Sequence, residues 1–393
     1  MTFKYDKLWN KVKLKKINDK KLIKLLHIMP KTLAKLKNNQ KVSISVLEKF
    51  ANFFDCIIED LVEKQKSSKN NMKYTTASLF AGIGGICYGF KQNNVDVIWA
   101  NEIDANACAT YRFNFGNDYL VEGDIKKINP NDIPNVDILN GGFPCQAFSI
   151  AGKQQGFLDE RGTLFFEIVR ILKIKKPQAI LLENVKNLLT HDHNKTFKVI
   201  KNELENLGYH LHYQILNSMD YGNVPQNRER LYIIGFLNKT ASDNFNFPSP
   251  IKLTKSISDL INANERQDKH YYYTFSKLYS KLKLQITKKN TIYQWRRIYC
   301  RENKSNVCPT LTANMGMGGH NVPLVLDNYD IRKLTPDECI AFQGFPKEFK
   351  FPDTIPDSAK YKQAGNSVSV PVIKRIVANM VKALDSINKK GCD

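Results

Sequence analysis

Short apolar runs alternate with longer segments of helical pattern between Tyr74 and Phe236, and this alternation limits the possible folds more than any other feature. The apolar runs are Ala77–Phe80, Val95–Ala100, Val136–Leu139, Ala179–Leu182 and Leu231–Phe236. Buried strands that alternate with helices form βαβ units, which build a mostly parallel sheet with helices on both faces. We therefore predict a doubly wound α/β catalytic and cofactor-binding domain over residues 74–244.

The remaining sequence divides into four parts by composition and pattern. Residues 1–66 show apolar residues at helical spacing, which predicts a small all-α domain. Residues 67–73 are polar and predict a linker. Residues 245–325 are irregular and rich in Tyr, Lys, Arg, Asn and Gly, whereas residues 326–393 return to a helical pattern. We expect this last part to complete the α/β domain.

The charge of the chain indicates which partners it has. The net charge is +21, and residues 1–73 alone hold 18 Lys against 7 acidic residues, a net charge of +11. Such a basic chain usually meets phosphate in nucleic acid or at an anionic membrane, although a Lys-rich genome would also inflate the count. No apolar run approaches the ~18–20 residues of a membrane span, and Met1–Lys4 shows no signal peptide, so we expect a cytoplasmic protein with no membrane partner.

The eight cysteines predict neither a metal site nor a disulfide framework. No Cys-x-x-Cys pair occurs, and no His is spaced to complete a zinc site. We expect no metal, and we expect most of the cysteines to be buried apolar residues.

A glycine-rich segment and two acidic residues predict a nucleoside site. Phe80-Ala81-Gly82-Ile83-Gly84-Gly85 follows a predicted strand and leads into a helix, where glycines allow close approach of a ligand, although such a segment can also be a tight turn. Glu102 ends the next strand and suits a ribose diol, and Asp124 follows the third and suits an adenine amino group. No phosphate-binding Gly-Lys-Ser/Thr motif is present, so a nucleoside without a polyphosphate fits better than NAD or ATP.

Cys145 differs from the other cysteines because it follows a predicted strand at the expected cofactor edge. A thiolate there suits a substrate carbon that must be activated by addition, and cytosine is such a substrate. Glu183, just after another strand, is the natural acid for N3 of that base. Arg228 and Arg230 lie on one face of an extended segment and could clamp a base oxygen or a phosphate, although a solvated edge is the alternative.

Taken together, the motifs resemble those of the cytosine-5 DNA methyltransferases of restriction–modification systems across nearly all of residues 74–393. Besides the residues above, the resemblance rests on Phe143-Pro144-Cys145-Gln146, Gly162–Phe166, Glu183-Asn184-Val185, Gln226–Arg230, Arg332–Cys339, Gln343–Pro346 and Gly365–Val368. It implies S-adenosylmethionine as cofactor, Cys145 as nucleophile, Glu183 as proton donor, and Arg228 and Arg230 as base and phosphate clamp. The implied cofactor residues are Phe80, Ala81, Gly82, Ile83, Gly85, Glu102, Ile103, Asp124, Ile125, Pro144, Leu164, Asn366 and Ser367. It also brings the C-terminal segment back beside the first strand.

The resemblance further implies how double-stranded DNA is bound by an enzyme that acts as a monomer. Residues 149–162 would close over the minor groove, and the implied contacts in and beside this loop are Gln146, Ser149, Lys153, Gln154 and Arg161. Residues 245–325 take the position of the target recognition domain, with Thr310 and Thr312 in its anchor motif and Gly318 and Gly319 in a glycine loop. Arg296, Arg297, Arg301 and Asn303 are candidate base readers. Residues 295–323 resemble, faintly, enzymes that read GGNCC or GGWCC sites.

Two positions depart from the pattern of that family. Ser78 stands where many members carry an acid. Ala151 stands where some members have a Ser, which fills the space that the target cytosine leaves when it flips out of the duplex. Neither touches the chemistry, but Ala151 leaves open what fills that space.

The N-terminal part resembles the Cro/repressor type of helix-turn-helix domain, most clearly in Ser43–Glu63. The candidate recognition helix, about residues 30–38, offers Lys31, Thr32, Lys35 and Lys37. Such a domain either represses the chain's own promoter or adds DNA affinity without sequence preference. Two rival functions also stay open: a tRNA cytosine-5 methyltransferase, and a repressor with an inert methylase fold. Two features speak against these rival functions. This chain has Phe143-Pro144-Cys145 where the tRNA enzymes typically have Pro-Pro-Cys, and its set of catalytic positions is complete.

Overall fold

The computed structural model describes residues 3–15, 17–38, 42–64, 74–143, 163–316 and 322–388. They cluster into two compact units, one within Met1–Met72 and the other within Lys73–Asp393. Each unit has its own apolar core. No helix among the described residues is long and apolar enough to cross a membrane.

The first unit is a small bundle of helices. Its helices are α1 (Asp6–Leu14), α2 (Asp19–Leu26), α3 (Pro30–Lys37) and α4 (Ile44–Phe54), and two short antiparallel strands, β1 (Phe3–Lys4) and β2 (Glu63–Lys64), tie its ends together. Asn18 caps α2 by accepting a hydrogen bond from the Lys21 N–H at 2.9 Å, and Pro30 begins α3, where a missing N–H costs nothing. Leu8, Leu22 and Phe50 fill the core.

The second unit is built on a seven-stranded sheet among the described residues. Its strands are β3 (Tyr74–Leu79), β4 (Val95–Glu102), β5 (Leu120–Glu122), β6 (Ile138–Gly142), β7 (Ala179–Val185), β8 (His210–Asn217) and β10 (Glu229–Phe236). They pair in the order β5-β4-β3-β6-β7-β10-β8. The first five are parallel, and β10 runs antiparallel to both β7 and β8. The order reverses at β3, so ligands are expected in the crevice beyond the carboxyl ends of β3, β4 and β6.

Helices cover both faces of this sheet, which confirms the doubly wound α/β fold. They are α5 (Gly85–Lys91), α6 (Ala105–Phe115), α7 (Thr163–Lys175), α8 (Lys195–Asn206), α9 (Ser218–Gly222) and α10 (Lys239–Asp243). Side chains of α5, α6 and α10 belong to one core, and those of α7 and α8 belong to the other. The long helix α14 (Val370–Asn388) joins the first core, packs on α5, and places Asp385 2.8 Å from the Tyr74 hydroxyl. The C-terminal segment therefore does fold back beside β3, the first strand of this sheet along the chain.

The region predicted to be irregular contains a small antiparallel sheet. Four strands, β11 (Tyr293–Arg296), β12 (Tyr299–Glu302), β14 (Leu324–Leu326) and β15 (Ile331–Lys333), pair in the order β12-β11-β14-β15, and α11 (Tyr279–Gln285) packs beside them. This sheet continues to Lys333, past the boundary expected at residue 325. Two further helices, α12 (Pro336–Ala341) and α13 (Asp357–Asn366), precede α14.

A buried ion cluster joins this sheet to α12. The Arg332 guanidinium lies 2.7 Å from Asp327 and holds Glu338 through two hydrogen bonds of 2.7 and 2.8 Å, and both Arg332 and Asp327 are fully buried as side chains. Glu338 also forms a capping box with Thr335 at the start of α12. The cluster therefore fixes the end of the small sheet against the C-terminal helices.

Candidate active site

A cavity of about 540 Å³ lies at the carboxyl edge of the sheet, where the strand order reverses. The ends of β4, β5, β6 and β7 contribute to it, together with the segment after β3 and one face of α13. Nine of the predicted cofactor residues line it: Phe80, Gly82, Ile83, Glu102, Ile103, Asp124, Ile125, Leu164 and Asn366. The predicted catalytic residues Glu183, Arg228 and Arg230 line the same cavity.

Glu102 is held rigidly at the end of β4. Its carboxylate accepts hydrogen bonds from the N–H groups of Gly82 at 2.8 Å, Ile103 at 2.8 Å and Asp104 at 2.9 Å. Oε1 accepts the bonds from Ile103 and Asp104, whereas Oε2 accepts only the bond from Gly82 and keeps a lone pair for a ligand hydroxyl. Gly82 has a φ of +55°, and a side chain there would be strained.

The cavity lining also includes an exposed apolar side chain and a second acid that is held in place. Ile103 is 64% exposed although it is apolar, and it lines the cavity beside Asp124 and Ile125. The Asp124 carboxylate accepts from the Lys126 N–H at 3.0 Å, which fixes its position after β5. An exposed isoleucine next to a held acid suits a flat ring with an exocyclic amino group.

Three predicted cofactor residues do not line the cavity, and a fourth lies outside the described residues. Ala81 donates its N–H to the Asn101 carbonyl at 2.9 Å. Gly85 packs beneath the C-terminal segment, where an added Cβ would come within 2.7 Å of Ser367 Oγ. Ser367 is buried behind Asn366. Pro144 is among residues 144–162, which the structure does not describe; Cys145, Gln146, Ser149, Lys153, Gln154 and Arg161 are in the same segment.

Several residues that the sequence did not single out also line the cavity. Among them are Lys362 and Gln363 on α13, and Asp104 at the start of α6, whose carboxylate lies 2.8 Å from the Lys362 ammonium. Two polar atoms beside the cavity, Gln363 Nε2 and Ser367 Oγ, are buried and have no hydrogen-bond partner among the described residues. Lys362 and Gln363 lie one turn before Asn366 on the same helix, which is the sequence signal that could have found them.

Glu183 and Arg230 form the charged centre of the cavity. Glu183 Oε1 lies 3.2 Å from Arg230 Nε, and both side chains are largely buried. Burial raises the pKa of the Glu183 carboxyl, and the positive charges of Arg230 and then Arg228 partly counteract that rise. A carboxyl group in this setting is suited to holding and delivering a proton.

Arg228 is buried and does not lie on a solvated edge, which was the alternative interpretation of its motif. It is 2% exposed and donates hydrogen bonds to the backbone carbonyls of Leu311, Gly365 and Ser367 at 2.8, 3.1 and 2.5 Å. Desolvation lowers the pKa of Arg228, and the neighbouring charge of Arg230 lowers it further.

The predicted DNA-reading residues lie on a hairpin of the small sheet and in the segment that follows it. Arg296, Arg297 and Arg301 are exposed on or beside the β11–β12 turn. Asn303 is used within the fold instead, since its amide donates to the Val307 carbonyl and accepts from Ser305. Gly318 and Gly319 lie outside the described residues.

Thr310 and Thr312 follow a strand that anchors this region to the cavity. The strand β13 (Cys308–Pro309) pairs in parallel with β9 (Gln226–Asn227), and the Thr310 hydroxyl donates to the Asn227 carbonyl at 2.7 Å. Thr312 is exposed and donates to Asn314 Oδ1 at 2.6 Å. The segment that contains Thr310 and Thr312 is therefore in direct contact with the segment Gln226–Arg230, which we call the arginine motif.

In the first unit, α3 confirms the predicted helix near residues 30–38. Lys31 and Lys35 are exposed on it, and Leu33 and Leu36 are buried. Lys37 is also exposed, although its ammonium lies 2.5 Å from Asp19. The helix therefore presents a basic face to solvent.

Comparison with known proteins identifies both units. The C-5 cytosine-specific DNA methylase family matches residues 74–382, and the Cro/C1-type helix-turn-helix DNA-binding domain matches residues 7–67. The chain is 56% identical over 312 residues to the type II methyltransferase M.Bsp6I of Bacillus sp. (strain RFL6), which covers 78% of this chain and 98% of that protein. It is 43% identical over 319 residues to M.HaeII of Haemophilus aegyptius, covering 81% of this chain and 96% of that one.

A solved structure agrees on the fold. The Dnmt2 methyltransferase of S. pombe superposes with a TM-score of 0.63 at 21% identity, over 79% of this chain and 99% of that one. The chain therefore belongs to the cytosine-5 DNA methyltransferases, within the type II enzymes of restriction–modification systems, and it carries an N-terminal helix-turn-helix domain.

Proposed function

We propose that this enzyme transfers a methyl group from S-adenosylmethionine to C5 of a flipped-out cytosine in a short duplex site, through a covalent adduct with Cys145. The observation that carries the proposal is the Glu183–Arg230 pair, which shares one cavity with Glu102 and Asp124. An acid for a pyrimidine ring and a nucleoside site are thus adjacent. In a restriction–modification system this modification protects host DNA.

The cavity suits S-adenosylmethionine, which supplies an electrophilic methyl group when bound. Glu102 would hold the ribose hydroxyls with its preset carboxylate, and Asp124 would accept from the adenine amino group beside Ile103 and Ile125. The unpartnered Nε2 of Gln363, which lines the cavity, supports a polar ligand at the α13 side, because a buried polar atom without a partner is costly. Asn366 lies at the same side.

The chemistry on cytosine follows from the acid and the thiolate. The Cys145 thiolate adds to C6 while Glu183 delivers its proton to N3, so the electron pair of the C5–C6 bond becomes available at C5. C5 then takes the methyl group, which would leave S-adenosylhomocysteine. Loss of the C5 proton to a base, return of the N3 proton to the Glu183 carboxylate and departure of the thiolate from C6 restore the C5–C6 double bond of a neutral cytosine ring. Arg230 would hold the carboxyl of Glu183 in place and neutralise it after proton transfer.

The target base must leave the duplex to reach this cavity. Flipping costs a few kcal/mol, and the binding of the surrounding DNA offsets it. Gln146, Ser149, Lys153, Gln154 and Arg161 would supply contacts near the vacated position, and Arg296, Arg297 and Arg301 would read base edges in the major groove. Sequencing of bisulfite-treated DNA from an expressing host would identify the site, for which a GGNCC or GGWCC type is our expectation.

Covalent catalysis is tested with a duplex that carries 5-fluorocytosine at the site identified in that way. The wild-type enzyme is expected to form a crosslink that survives denaturation, since fluorine at C5 cannot leave as a proton does. Cys145→Ser should bind the same duplex without crosslinking and should methylate at less than about a thousandth of the wild-type rate. Crosslinking by Cys145→Ser, or methylation of total tRNA in preference to duplex DNA, would contradict the proposal.

We further propose that the N-terminal domain binds the promoter of its own gene and represses it. The exposed Lys31 and Lys35 on α3 support a DNA-binding role. Footprinting of the full-length protein on upstream DNA that lacks the methylation site tests this. Equal protection of unrelated DNA would indicate a domain that only adds affinity.

A further inference from the structure

Three distant parts of the chain meet at the guanidinium of Arg228. Leu311 belongs to the anchor of the recognition region, which we define as residues 310–315, and its carbonyl accepts from Nη1 at 2.8 Å. Gly365 and Ser367 flank the cavity-lining Asn366, and their carbonyls accept from Nη2 at 3.1 and 2.5 Å. A single side chain therefore joins the backbone of the recognition anchor to the backbone on both sides of Asn366.

The two backbones also touch without any side chain between them. An added Cβ at Gly365 would lie 2.2 Å from the carbonyl carbon and oxygen of Thr312, and 2.6 Å from the Ala313 nitrogen. No side chain fits there, so α13 and the recognition anchor are in direct contact. A shift of one backbone must displace the other.

Gln226 strengthens the same junction from the neighbouring strand. Its Oε1 accepts from the Leu311 N–H at 3.2 Å, and its Nε2 donates to the Phe342 carbonyl at 2.5 Å. With the β9–β13 pairing, this leaves Leu311 bonded through both its N–H and its carbonyl to the arginine motif. The anchor has few ways to move independently.

The buried positive charge of Arg228 makes its stability depend on the positions of its hydrogen-bond acceptors. The residue is 2% exposed, its hydrogen bonds go to carbonyl oxygens, and its Nε has no partner among the described residues. A buried guanidinium that depends on carbonyl dipoles is stabilised only while those carbonyls stay in position. Displacement of the carbonyl of Leu311, Gly365 or Ser367 therefore weakens the contacts of Arg228 with the other two.

We propose that Arg228 is a positioning residue that couples occupancy of the cofactor cavity to ordering of the recognition anchor, an inference that rests on the proposed function. A ligand that fixes Asn366 also fixes the flanking carbonyls, and Arg228 transmits that restraint to Leu311. Because coupling between two sites is reciprocal, a DNA-ordered anchor tightens cofactor binding by the same factor.

Hydrogen exchange on the full-length protein, with and without S-adenosylhomocysteine, tests the coupling without any need for DNA. The reporters are the amides of Leu311 and Met315, both hydrogen-bonded in the structure, within a peptide covering residues 308–316. In the wild type the ligand is expected to slow their exchange by about five-fold or more, at the lower end of known coupling factors. In Arg228→Lys, at saturating ligand, we expect less than about a two-fold change there, while protection of Gly82 and Ile103 persists.

Arg375 provides a matched control because it also donates to two backbone carbonyls, those of Tyr221 and Ser249, at 2.8 Å each. Arg375→Lys should keep the wild-type protection of residues 308–316. Gly365→Ala, which forces the two backbones apart, should lose this protection as Arg228→Lys does. It replaces Arg228→Lys in the experiment if that variant does not fold.

The outcomes separate this inference from the proposed function. Protection at Gly82 and Ile103 without any at residues 308–316 in the wild type would overturn the coupling alone, as would full protection in Arg228→Lys. Absence of protection at Gly82 and Ile103 as well would contradict the cofactor site and, with it, the coupling.

Discussion

Arg230 and Glu183 contact each other across two neighbouring antiparallel strands, with Arg230 Nε 3.2 Å from Glu183 Oε1. Arg230 pairs in register with Val185, and Glu183 pairs with Tyr232, so the two charged side chains meet diagonally on one face of the sheet. Their separation along the chain exceeds forty residues, and the sheet register alone brings them together.

This contact makes the pH dependence of methylation predictable. Glu183 must be protonated to act as the acid, so the rate should fall as pH rises through its raised pKa. Arg230→Met removes a charge that lowers that pKa, so the alkaline limb of the rate profile should move to higher pH while the maximal rate falls. Lys186→Met, which removes an exposed ion pair between the residue that follows β7 and Glu229 at the start of β10, should leave the profile in place. An unmoved limb in Arg230→Met would assign the titration to another group.

Glu102→Ala should weaken binding of S-adenosylhomocysteine by about ten-fold or more. The change removes the carboxylate that would accept the ribose hydroxyls and leaves the Gly82, Ile103 and Asp104 N–H groups without their acceptor. Calorimetric titration gives the affinity directly, and DNA affinity should change far less. Glu122→Ala is the control, because Glu122 ends the adjacent strand in register with Glu102 but pairs with Arg112 at the surface. Equal effects in both variants would exclude Glu102 from the cofactor site.

Breaking the buried ion cluster should destabilise the second unit. Arg332→Leu leaves Asp327 and Glu338 buried without their cation, which typically costs about 3–5 kcal/mol. Urea unfolding followed for the second unit measures this destabilisation. Lys350→Leu removes an exposed pair with Asp337 and should cost under about 1 kcal/mol. Similar values for the two variants would mean that the cluster contributes no more than a surface pair.

Removal of residues 1–66 should leave site-specific methylation intact. The first unit has its own core, and every residue lining the active-site cavity lies after Tyr74. Binding to unrelated duplex should weaken, and the slope of log K against log salt should fall by roughly 0.9 for each DNA phosphate that the first unit neutralises in the full-length protein. Failure of a soluble, folded truncation to methylate would make the first unit part of the catalytic machinery.

Much of the α/β sheet was predictable because its central strands are continuous apolar runs. The edge strand β8 was not predicted, since most residues of His210–Asn217 are polar or partly exposed and give no buried run. The small sheet escaped prediction for a related reason: its strands have three or four residues each, too few for a periodicity to show. Short strands are defined by their partners rather than by their own sequence.

The positions of Glu102 and Glu183 in the cavity were predictable, because both residues lie in the carboxyl-terminal parts of parallel strands of one sheet. The role of Arg228 was not predictable from the sequence. The alternating pattern Gln-x-Arg-x-Arg predicts only that the two arginines lie on the same face of an extended segment. Burial by two segments more than eighty residues away decides what Arg228 meets. Lys362 and Gln363 reach the cavity through the packing of α13, and the sequence signals this only through their position one turn before Asn366.

Arg228 contacts main-chain oxygens rather than side chains, and this has an evolutionary consequence. Every amino acid supplies the same carbonyl group, so the residues of the anchor can diverge in identity while the guanidinium keeps its acceptors. A lineage that acquires a new recognition region needs to conserve the path of the backbone at this junction, not its side chains. Target preference can thus change by exchange of whole recognition regions without a compensating change at Arg228.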